Sequence, residues 1–305
     1  MSGVNGIAAV VLNYKTWQDA VNCVRDLLAQ DHPDKHIVIV DNGSGNESAD
    51  KLAEAFGGDK NVTLLVSGEN LGFARGNNLG IRYAHEVLGY DTVFVVNSDT
   101  LSEQGLFSAI AGLDTDGVGA VSPTVVTPDG EPQYFPVNCR NITSQAYSTV
   151  WNLIKANVVT WPVVRDIYKR VKKKTGEKLP DPNAPAEAYV LQGSAYFLTP
   201  DFFRHYRGIY PRTFLFWEEV DLLLMLKRAG LASVYAETPK VTHFGGGSTQ
   251  EIERRVSSFR LKQSNRSMIK SLPLILGMSE KRIGKVIDRS EQFSVPAESL
   301  PVRKT

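Results

Sequence analysis

The 305-residue sequence has only two cysteines, Cys23 and Cys139, and neither stands in a spacing typical of a metal site or a redox pair. We therefore expect a reducing compartment and no disulfide framework. Neither positive nor negative charge is in excess, because the sequence has 34 basic and 33 acidic residues. This balance gives no reason to expect a nucleic acid partner.

Long apolar runs are absent as well. No run approaches the roughly 18 residues that a membrane-spanning helix needs. The first six residues carry no basic side chain, and the apolar run at residues 7–12 is too short for a signal peptide and suits a buried strand. These features predict a cytosolic protein, with peripheral attachment to a membrane left open.

Short apolar segments alternate with helical patterns over the first 130 residues. Strands are predicted at residues 7–12, 37–40, 62–66 and 92–96, and they lack the polar alternation of a half-exposed sheet. Helices are predicted after Thr16, which would cap the first of them, at Ser48–Phe56 and around residues 77–87. The pattern predicts an α/β fold with an open, mostly parallel sheet and helices on both faces.

The alternation stops at residues 137–188, where aromatic, basic and proline residues predict a helical insertion. It resumes over residues 189–249, which include a predicted helix at residues 218–229. Residues 250–305 form a basic segment that we expect to be helical before it ends in a polar tail. We therefore divide the chain into a domain at residues 1–249, with halves at 1–136 and 189–249 around the insertion, and the C-terminal segment.

Polar side chains follow each of the first four predicted strands. They are Asn13, Asp41, Asn70 with Gly72, and residues 97–99. An open α/β sheet binds ligands beyond the carboxyl ends of its strands, so these loops could line one binding site. Each loop alone could equally be an ordinary turn. Four such loops at one sheet edge favour the binding site.

Three segments could carry chemistry. Asp99, in an Asn-Ser-Asp turn, could hold Mg²⁺ or Mn²⁺ against a nucleotide diphosphate, and His243 before a glycine run could add a metal ligand. A plain turn and a structural histidine are the alternatives. The acidic residues Glu218, Glu219 and Asp221 could complement a helix dipole or supply a general base, with the preceding aromatic residues excluding water.

Five stretches together resemble the family 2 glycosyltransferases of the GT-A type, particularly the rhamnosyltransferase-like branch. They are VLNY at 11–14, IVDNGS at 39–44, ENLGFARGNN at 69–78, NSDT at 97–100 and WEEVD at 217–221. The resemblance runs from about residue 7 to residue 249, and residues 137–188 match poorly. It implies a GT-A fold in which residues 1–136 form a Rossmann-like nucleotide-sugar-binding half and residues 189–249 the acceptor and catalytic half.

The resemblance also implies a role for each matched position. Within the donor site, Asn13 and Asp41 would contact the nucleoside. The implied donor-binding residues are Asn13, Asp41, Asn70, Gly72, Arg75, Asn78, Asn97, Ser98 and Trp217.

Metal and catalytic roles follow from the same resemblance. Asp99 matches the last acid of the DXD-type metal motif, and His243 resembles the late histidine that completes a site for Mg²⁺ or Mn²⁺. Glu219 stands where the family has its catalytic Asp and is preceded by the acid Glu218. Asp221 is the rival for the base.

The implied function is inverting transfer of rhamnose from dTDP-rhamnose to a saccharide or lipid-linked glycan acceptor in cell-surface polysaccharide synthesis. UDP-sugars are the alternative donors. Because Asn97 and Glu219 depart from the family pattern, an inactive nucleotide-sugar-binding module is a second hypothesis. A nicotinamide-dependent oxidoreductase is disfavoured, since no G-x-G-x-x-G follows the first strand. The aromatic and basic insertion and the basic C-terminal segment are consistent with membrane-surface contact, and the C-terminal segment could also pair subunits of a homo-oligomer. A solvated helix face is the alternative.

Overall fold

The computed structural model describes residues 6–133, 190–245 and 257–290. The insertion expected at residues 137–188, Cys139 and the polar tail lie outside the described residues.

A seven-stranded sheet forms the centre of the structure, in the order β3-β2-β1-β4-β8-β6-β9. β8 runs antiparallel to both of its neighbours, and the other neighbouring strands are parallel, which confirms the predicted mostly parallel sheet. A smaller sheet has the order β5-β10-β7. The strands are β1 (Ile7–Asn13), β2 (Lys35–Asp41), β3 (Val62–Val66), β4 (Val93–Asn97), β5 (Thr100–Ser102), β6 (Val118–Ser122), β7 (Val125–Val126), β8 (Ala195–Leu198), β9 (Ala232–Tyr235) and β10 (Val241–His243).

Helices cover both faces of the large sheet. They are α1 (Trp17–Leu28), α2 (Ser48–Phe56), α3 (Phe73–Arg82), which continues into a π-helical turn at Tyr83–Val87, α4 (Leu106–Ala111), α5 (Pro200–His205), α6 (Glu218–Ala229), α7 (Ser257–Ile275) and α8 (Glu280–Arg289). Among the described helices, none is both long enough and apolar enough to cross a bilayer.

Two local predictions need correction. Thr16 occupies the N-cap position of α1, but its side chain makes no capping hydrogen bond. Helix α3 begins at Phe73, four residues before the predicted start, because Gly72 turns the chain with a φ of +80° and the helix follows at once.

The alternating side chains of β1 divide the core into two layers. Ala8 and Val10 belong to the layer packed under α3, α5 and α6, whereas Ala9 and Val11 belong to the layer under α1 and α4. Full burial of a valine side chain such as Val10 or Val11 contributes about 1.5–3 kcal/mol. Helices α7 and α8 add Leu274, Ile275, Ile283 and Ile287 to the first layer. The two layers hold the sheet rigid and fix the loops at its carboxyl edge.

Candidate active site

The ends of β1 and β2 carry a closed network of polar side chains. Asn13 pairs with Asp41 in the strand register, and its Nδ2 donates to Asp41 Oδ2 at 2.8 Å. The Ser44 hydroxyl donates to the same carboxylate oxygen at 2.7 Å, and the Ser44 backbone N–H donates to Asp41 Oδ1 at 3.1 Å. All three side chains are buried, and Asn13 Oδ1 has no partner among the described residues. The network therefore presents one open acceptor.

A second network shapes the loop after β3. Asn42 Nδ2 donates to Asn70 Oδ1 at 3.2 Å and to the Gly72 carbonyl at 3.1 Å, and Asn70 Oδ1 also accepts from the Gly72 N–H at 2.9 Å. A Cβ on Gly72 would collide with the carbonyl oxygen and ring of Phe214. Phe73 N–H donates to that carbonyl at 2.7 Å. The loop is thereby joined to the segment that leads into α6.

Two further predicted donor-binding residues lie on α3. Arg75 lies in its first turn and is half-buried. Asn78 is buried and both ends of its amide are engaged, because Nδ2 donates to the Ile209 carbonyl and Oδ1 accepts from the Ile209 N–H, each at 2.8 Å. Ile209 thereby fixes the orientation of the Asn78 amide, which keeps one N–H and one lone pair, so its contact with the donor stays a prediction.

The predicted metal residues come together at the end of β4. β10 pairs antiparallel with β5 so that His243 lies opposite Thr100, and His243 Nε2 is 3.5 Å from Asp99 Oδ1. Both side chains are largely but not fully buried. Ahead of Asp99, Ser98 is buried, and the Asn97 N–H donates to the Ser194 carbonyl at 2.9 Å. We refer to Asp99 and His243 as the metal pair.

A glutamine fixes the histidine of the metal pair. His243 Nδ1 is 2.9 Å from Gln133 Oε1, and that oxygen also accepts from Gln192 Nε2 at 3.0 Å. Because an amide oxygen can only accept, Nδ1 carries the proton and Nε2 faces Asp99. Metal-binding histidines are commonly held by such a second hydrogen bond, which sets the tautomer.

The donor set suits a hard divalent cation. An imidazole and a carboxylate meet there. Burial and then the charge of Asp99 raise the pKa of Asp19, which shows that Asp19 lies close enough to feel that charge. Within the described ranges no three His, Cys, Asp or Glu side chains form a metal-binding group. A cation held by the metal pair would complete its shell with diphosphate oxygens and water.

The acid-bearing helix α6 follows a strained backbone. Phe216 and Trp217 have φ of +71° and +78°, a region that costs non-glycine residues about 1–2 kcal/mol each. The structure holds this turn through α7, because Trp217 Nε1 donates to Ser264 Oγ at 3.1 Å and the Ser267 hydroxyl donates to the Leu215 carbonyl at 2.8 Å. Consecutive strained residues are concentrated at functional sites.

Two of the three acids at the start of α6 are buried. Asp221 is 1% exposed and accepts from the Ser271 hydroxyl at 3.0 Å. Glu218 is 7% exposed, and burial together with the neighbouring charge of Glu219 raises its pKa to about 8. Burial likewise raises the pKa of Asp221. Glu218 Oε1 and Asp221 Oδ1 have no hydrogen-bond partner among the described residues.

Glu219 differs from its two neighbours because its side chain retains partial exposure. It lies over Gly193, where a Cβ would collide with Glu219 Oε1 and would stand 2.8 Å from its Cδ. Burial raises the pKa of Glu219. We call Glu218, Glu219 and Asp221 the acid cluster.

Residues 192–194 connect the acid cluster to the metal pair. Gln192 reaches Gln133, Gly193 makes room for Glu219, and the Ser194 carbonyl accepts from the Asn97 N–H. Sequence reasoning missed Gln133, Gln192, Gly193 and Ser271. Only the resumption of regular patterning near residue 189 hinted at this segment.

With this geometry established, comparison with known proteins identifies the family. The family model described as "Glycosyl transferase family 2" matches residues 8–173, more than half of the chain. The chain belongs to glycosyl transferase family 2. The match covers strands β1 to β4 of this glycosyltransferase and the turn that contains Asp99, and it ends before the acid cluster and His243.

Curated relatives of this glycosyltransferase include two enzymes of glycan assembly. It is 28% identical over 224 residues to the N-acetylglucosaminyl-diphospho-decaprenol L-rhamnosyltransferase of Mycobacterium tuberculosis, covering 70% of this chain and 67% of that protein. It is 24% identical over 130 residues to the low-salt glycan biosynthesis hexosyltransferase Agl10 of Haloferax volcanii. That second alignment spans 42% of this chain and 39% of Agl10.

Solved structures show the same fold. The mannosyltransferase PcManGT from Pyrobaculum calidifontis, in complex with GDP-Man and Mn²⁺, aligns with a TM-score of 0.52 and 14% identity over 97% of this chain and 76% of that chain. GalNAc-T7 with UDP, GalNAc and Mn²⁺ aligns with a TM-score of 0.57 and 11% identity over 93% of this chain and 55% of that chain. The GT-A fold expected from the sequence is confirmed.

Proposed function

We propose that this glycosyltransferase transfers a sugar, with inversion, from a nucleotide diphosphate to a hydroxyl group of a saccharide or lipid-linked glycan. The proposal rests on one observation. Residues 192–194 contact both the partly exposed Glu219 and the glutamine that holds His243 of the metal pair. This arrangement offers a cation site for a diphosphate and a carboxylate base at one sheet edge.

The nucleotide side would bind and orient the donor. Asn13 and Asp41 are fixed by Ser44 before any ligand arrives, so little reorganisation is needed on binding. Asp99 and His243 would hold Mg²⁺ or Mn²⁺. The cation would offset the charge that develops on the leaving diphosphate.

Glu219 would act as the general base. It would take the proton of the attacking acceptor hydroxyl onto a carboxylate oxygen while the bond to the anomeric carbon forms and the bond to the diphosphate breaks. Its raised pKa makes it a stronger base than an ordinary glutamate. Glu218 and Asp221, whose pKa values are also raised, would hold protons at lower pH and so limit repulsion beside it.

Phe216 and Trp217 would help to exclude water from the reacting groups. The indole of Trp217 packs against the core layer under α6, and its N–H is already bonded to Ser264. We therefore propose that Trp217 shapes the donor side through its ring rather than through a hydrogen bond. Excluding water favours transfer over hydrolysis of the donor.

The proposed donor is dTDP-rhamnose, with UDP-sugars as the alternative. Support comes from the Mycobacterium relative, whose name specifies L-rhamnosyl transfer to a diphospho-decaprenol-linked sugar. A lipid-linked acceptor for a surface polysaccharide is proposed on the same ground. Cytosolic action and the division of the domain into donor and acceptor halves are proposed from the sequence pattern alone.

A transfer assay tests the proposal. The chain is incubated with Mn²⁺, one donor at a time and a panel of saccharide and lipid-linked acceptors, and proton NMR reports the product's anomeric configuration. We expect transfer with inversion from one donor. Retention of configuration would contradict the mechanism, and metal-dependent donor binding without transfer or hydrolysis would favour the inactive binding module.

A further inference from the structure

A cationic cavity lies where α7 and α8 meet the loop before α6, away from the metal pair. Its volume is about 470 Å³, and Arg212, Arg282, Lys285 and Arg289 line it without any acidic residue from the described part of the chain. Like charges gathered around one cavity repel each other, so an anion bound there would be stabilised by all four.

The cations are held in place by the burial of α8. Arg282, Lys285 and Arg289 recur at intervals of three and four residues, so they share one face of the helix. Ile283 and Ile287 on another face are buried in the core layer under α6. The helix therefore cannot rotate to disperse the charges without exposing both isoleucines.

Nearby acids are engaged elsewhere. Glu280 Oε1 lies 2.9 Å from His205 Nδ1, and Asp288 Oδ1 lies 3.8 Å from Arg207 Nη1. Within the described ranges, none of the four lining cations has a carboxylate within 4.0 Å. The positive potential of the cavity is therefore not cancelled by a described neighbour.

Apolar groups accompany the charge. Pro273, Met278 and Val286 complete the lining of the cavity. Leu276, between the first two in sequence, is 76% exposed, and Ile269 on α7 is 53% exposed. Exposed apolar side chains beside basic ones are typical of surfaces that rest on a lipid headgroup region.

We propose that this cavity binds the phosphate of an anionic membrane lipid, with Leu276 entering the headgroup region. Guanidinium groups match phosphate oxygens in geometry and charge. Arg212 belongs to the loop that leads into α6, so lipid binding would bring the acid cluster to the membrane surface. The use of this position for a lipid-linked acceptor rests on the proposed function, whereas lipid binding itself does not.

Vesicle co-sedimentation of the full chain tests the proposal. The chain is expected to sediment with phosphatidylcholine vesicles that contain phosphatidylglycerol at low ionic strength, and not with pure phosphatidylcholine. Each basic residue near an anionic surface contributes roughly fivefold in affinity, so Arg282→Gln, Lys285→Gln and Arg289→Gln together should weaken binding by about 100-fold.

A matched variant removes equal charge from the same helices outside the cavity, through Lys262→Gln, Lys270→Gln and Lys281→Gln. It should lose less than about tenfold, because these exposed lysines do not line the cavity. Equal losses in the two triple variants, with both folded by circular dichroism, would overturn the cavity assignment. Absence of wild-type binding to the anionic vesicles would also overturn it.

Two further measurements distinguish a lipid phosphate from a soluble phosphate as the natural ligand of the cavity. Leu276→Ser should weaken vesicle binding and leave the affinity for inorganic phosphate unchanged. Phosphate binding that needs the three cavity residues, without any vesicle binding, would overturn the lipid assignment. Because no sugar donor is present, failure of these tests would leave the transferase proposal intact.

Discussion

Buried carboxylates differ in their hydrogen bonding between the ends of β1 and β2 and the start of α6. At the ends of β1 and β2, both oxygen atoms of Asp41 accept hydrogen bonds, which come from Asn13 and Ser44. At the start of α6, Glu218 and Asp221 keep oxygen atoms without partners in the described structure, and their pKa values are raised by burial.

The difference separates binding from reaction. A buried carboxylate whose two oxygen atoms are both hydrogen-bonded is held rigidly, so Asp41 can meet a ligand without rearranging. At the start of α6, the unpartnered acids and the two residues with left-handed φ lower the stability of the fold. Destabilising features of this kind are concentrated at active sites. We infer that the first side positions the donor and the second carries the proton transfer.

The largest expected effect tests the acid side. Glu219→Gln should lower kcat by about 10³-fold, because an amide cannot accept the acceptor's proton, and should leave the Kd for the donor unchanged. Steady-state kinetics and calorimetry measure the two quantities. Asp221→Asn serves as the control, and intact turnover in Glu219→Gln with loss in Asp221→Asn would transfer the base role to Asp221.

The next effect tests the junction between the two sides. Gly72 and Gly45 both have left-handed φ, of +80° and +65°, but only a Cβ at Gly72 would meet Phe214. Gly72→Ala should lower the free energy of unfolding by about 3 kcal/mol and Gly45→Ala by about 1 kcal/mol. Denaturant titration measures both, and equal losses would show that the contact with Phe214 is unimportant.

A smaller effect is expected at the metal pair. Gln133→Ala should weaken Mn²⁺ affinity in the presence of donor by about tenfold, because His243 loses the acceptor that sets its tautomer. Gln192→Ala leaves that hydrogen bond in place and should change the affinity less. Calorimetric titration with Mn²⁺ decides, and a wild-type affinity in Gln133→Ala would exclude the positioning role.

The smallest effect concerns the pH dependence of stability. Because the pKa of Glu218 is raised from 4.5 to about 8 in the fold, its stabilising contribution is present below about pH 4.5 and is lost as the pH rises through 8. Glu218→Gln should therefore raise Tm by several °C at about pH 9 relative to wild type, and less at about pH 5. Thermal melts at the two pH values test this, and a pH-independent difference would contradict it.

The sequence predicted what depends on strand order and local pattern. Asn13 and Asp41 end two adjacent parallel strands in register, so their proximity follows from the topology. The limits of α6 follow from its acidic start and its glycine after Ala229. Prediction of the GT-A fold required only these regularities and the order of the motifs along the chain.

Long-range side-chain contacts could not be predicted in the same way. Gln133 and His243 are 110 residues apart, and Ser271 reaches Asp221 across 50 residues. An isolated Gln or Ser carries no motif that would reveal such a partner. The bonds of the Asn78 amide to Ile209, across 131 residues, were equally invisible in the sequence.

Calorimetric titration of nucleotide sugars with and without Mn²⁺ tests the central claim most directly. Wild-type protein should bind one of dTDP-rhamnose, UDP-glucose and UDP-galactose more tightly with Mn²⁺, and Asp99→Ala should remove the whole metal-dependent gain. Donor binding that is equally tight without Mn²⁺, or a metal-dependent gain that survives in Asp99→Ala, would contradict the assignment of Asp99 and His243 as the metal pair.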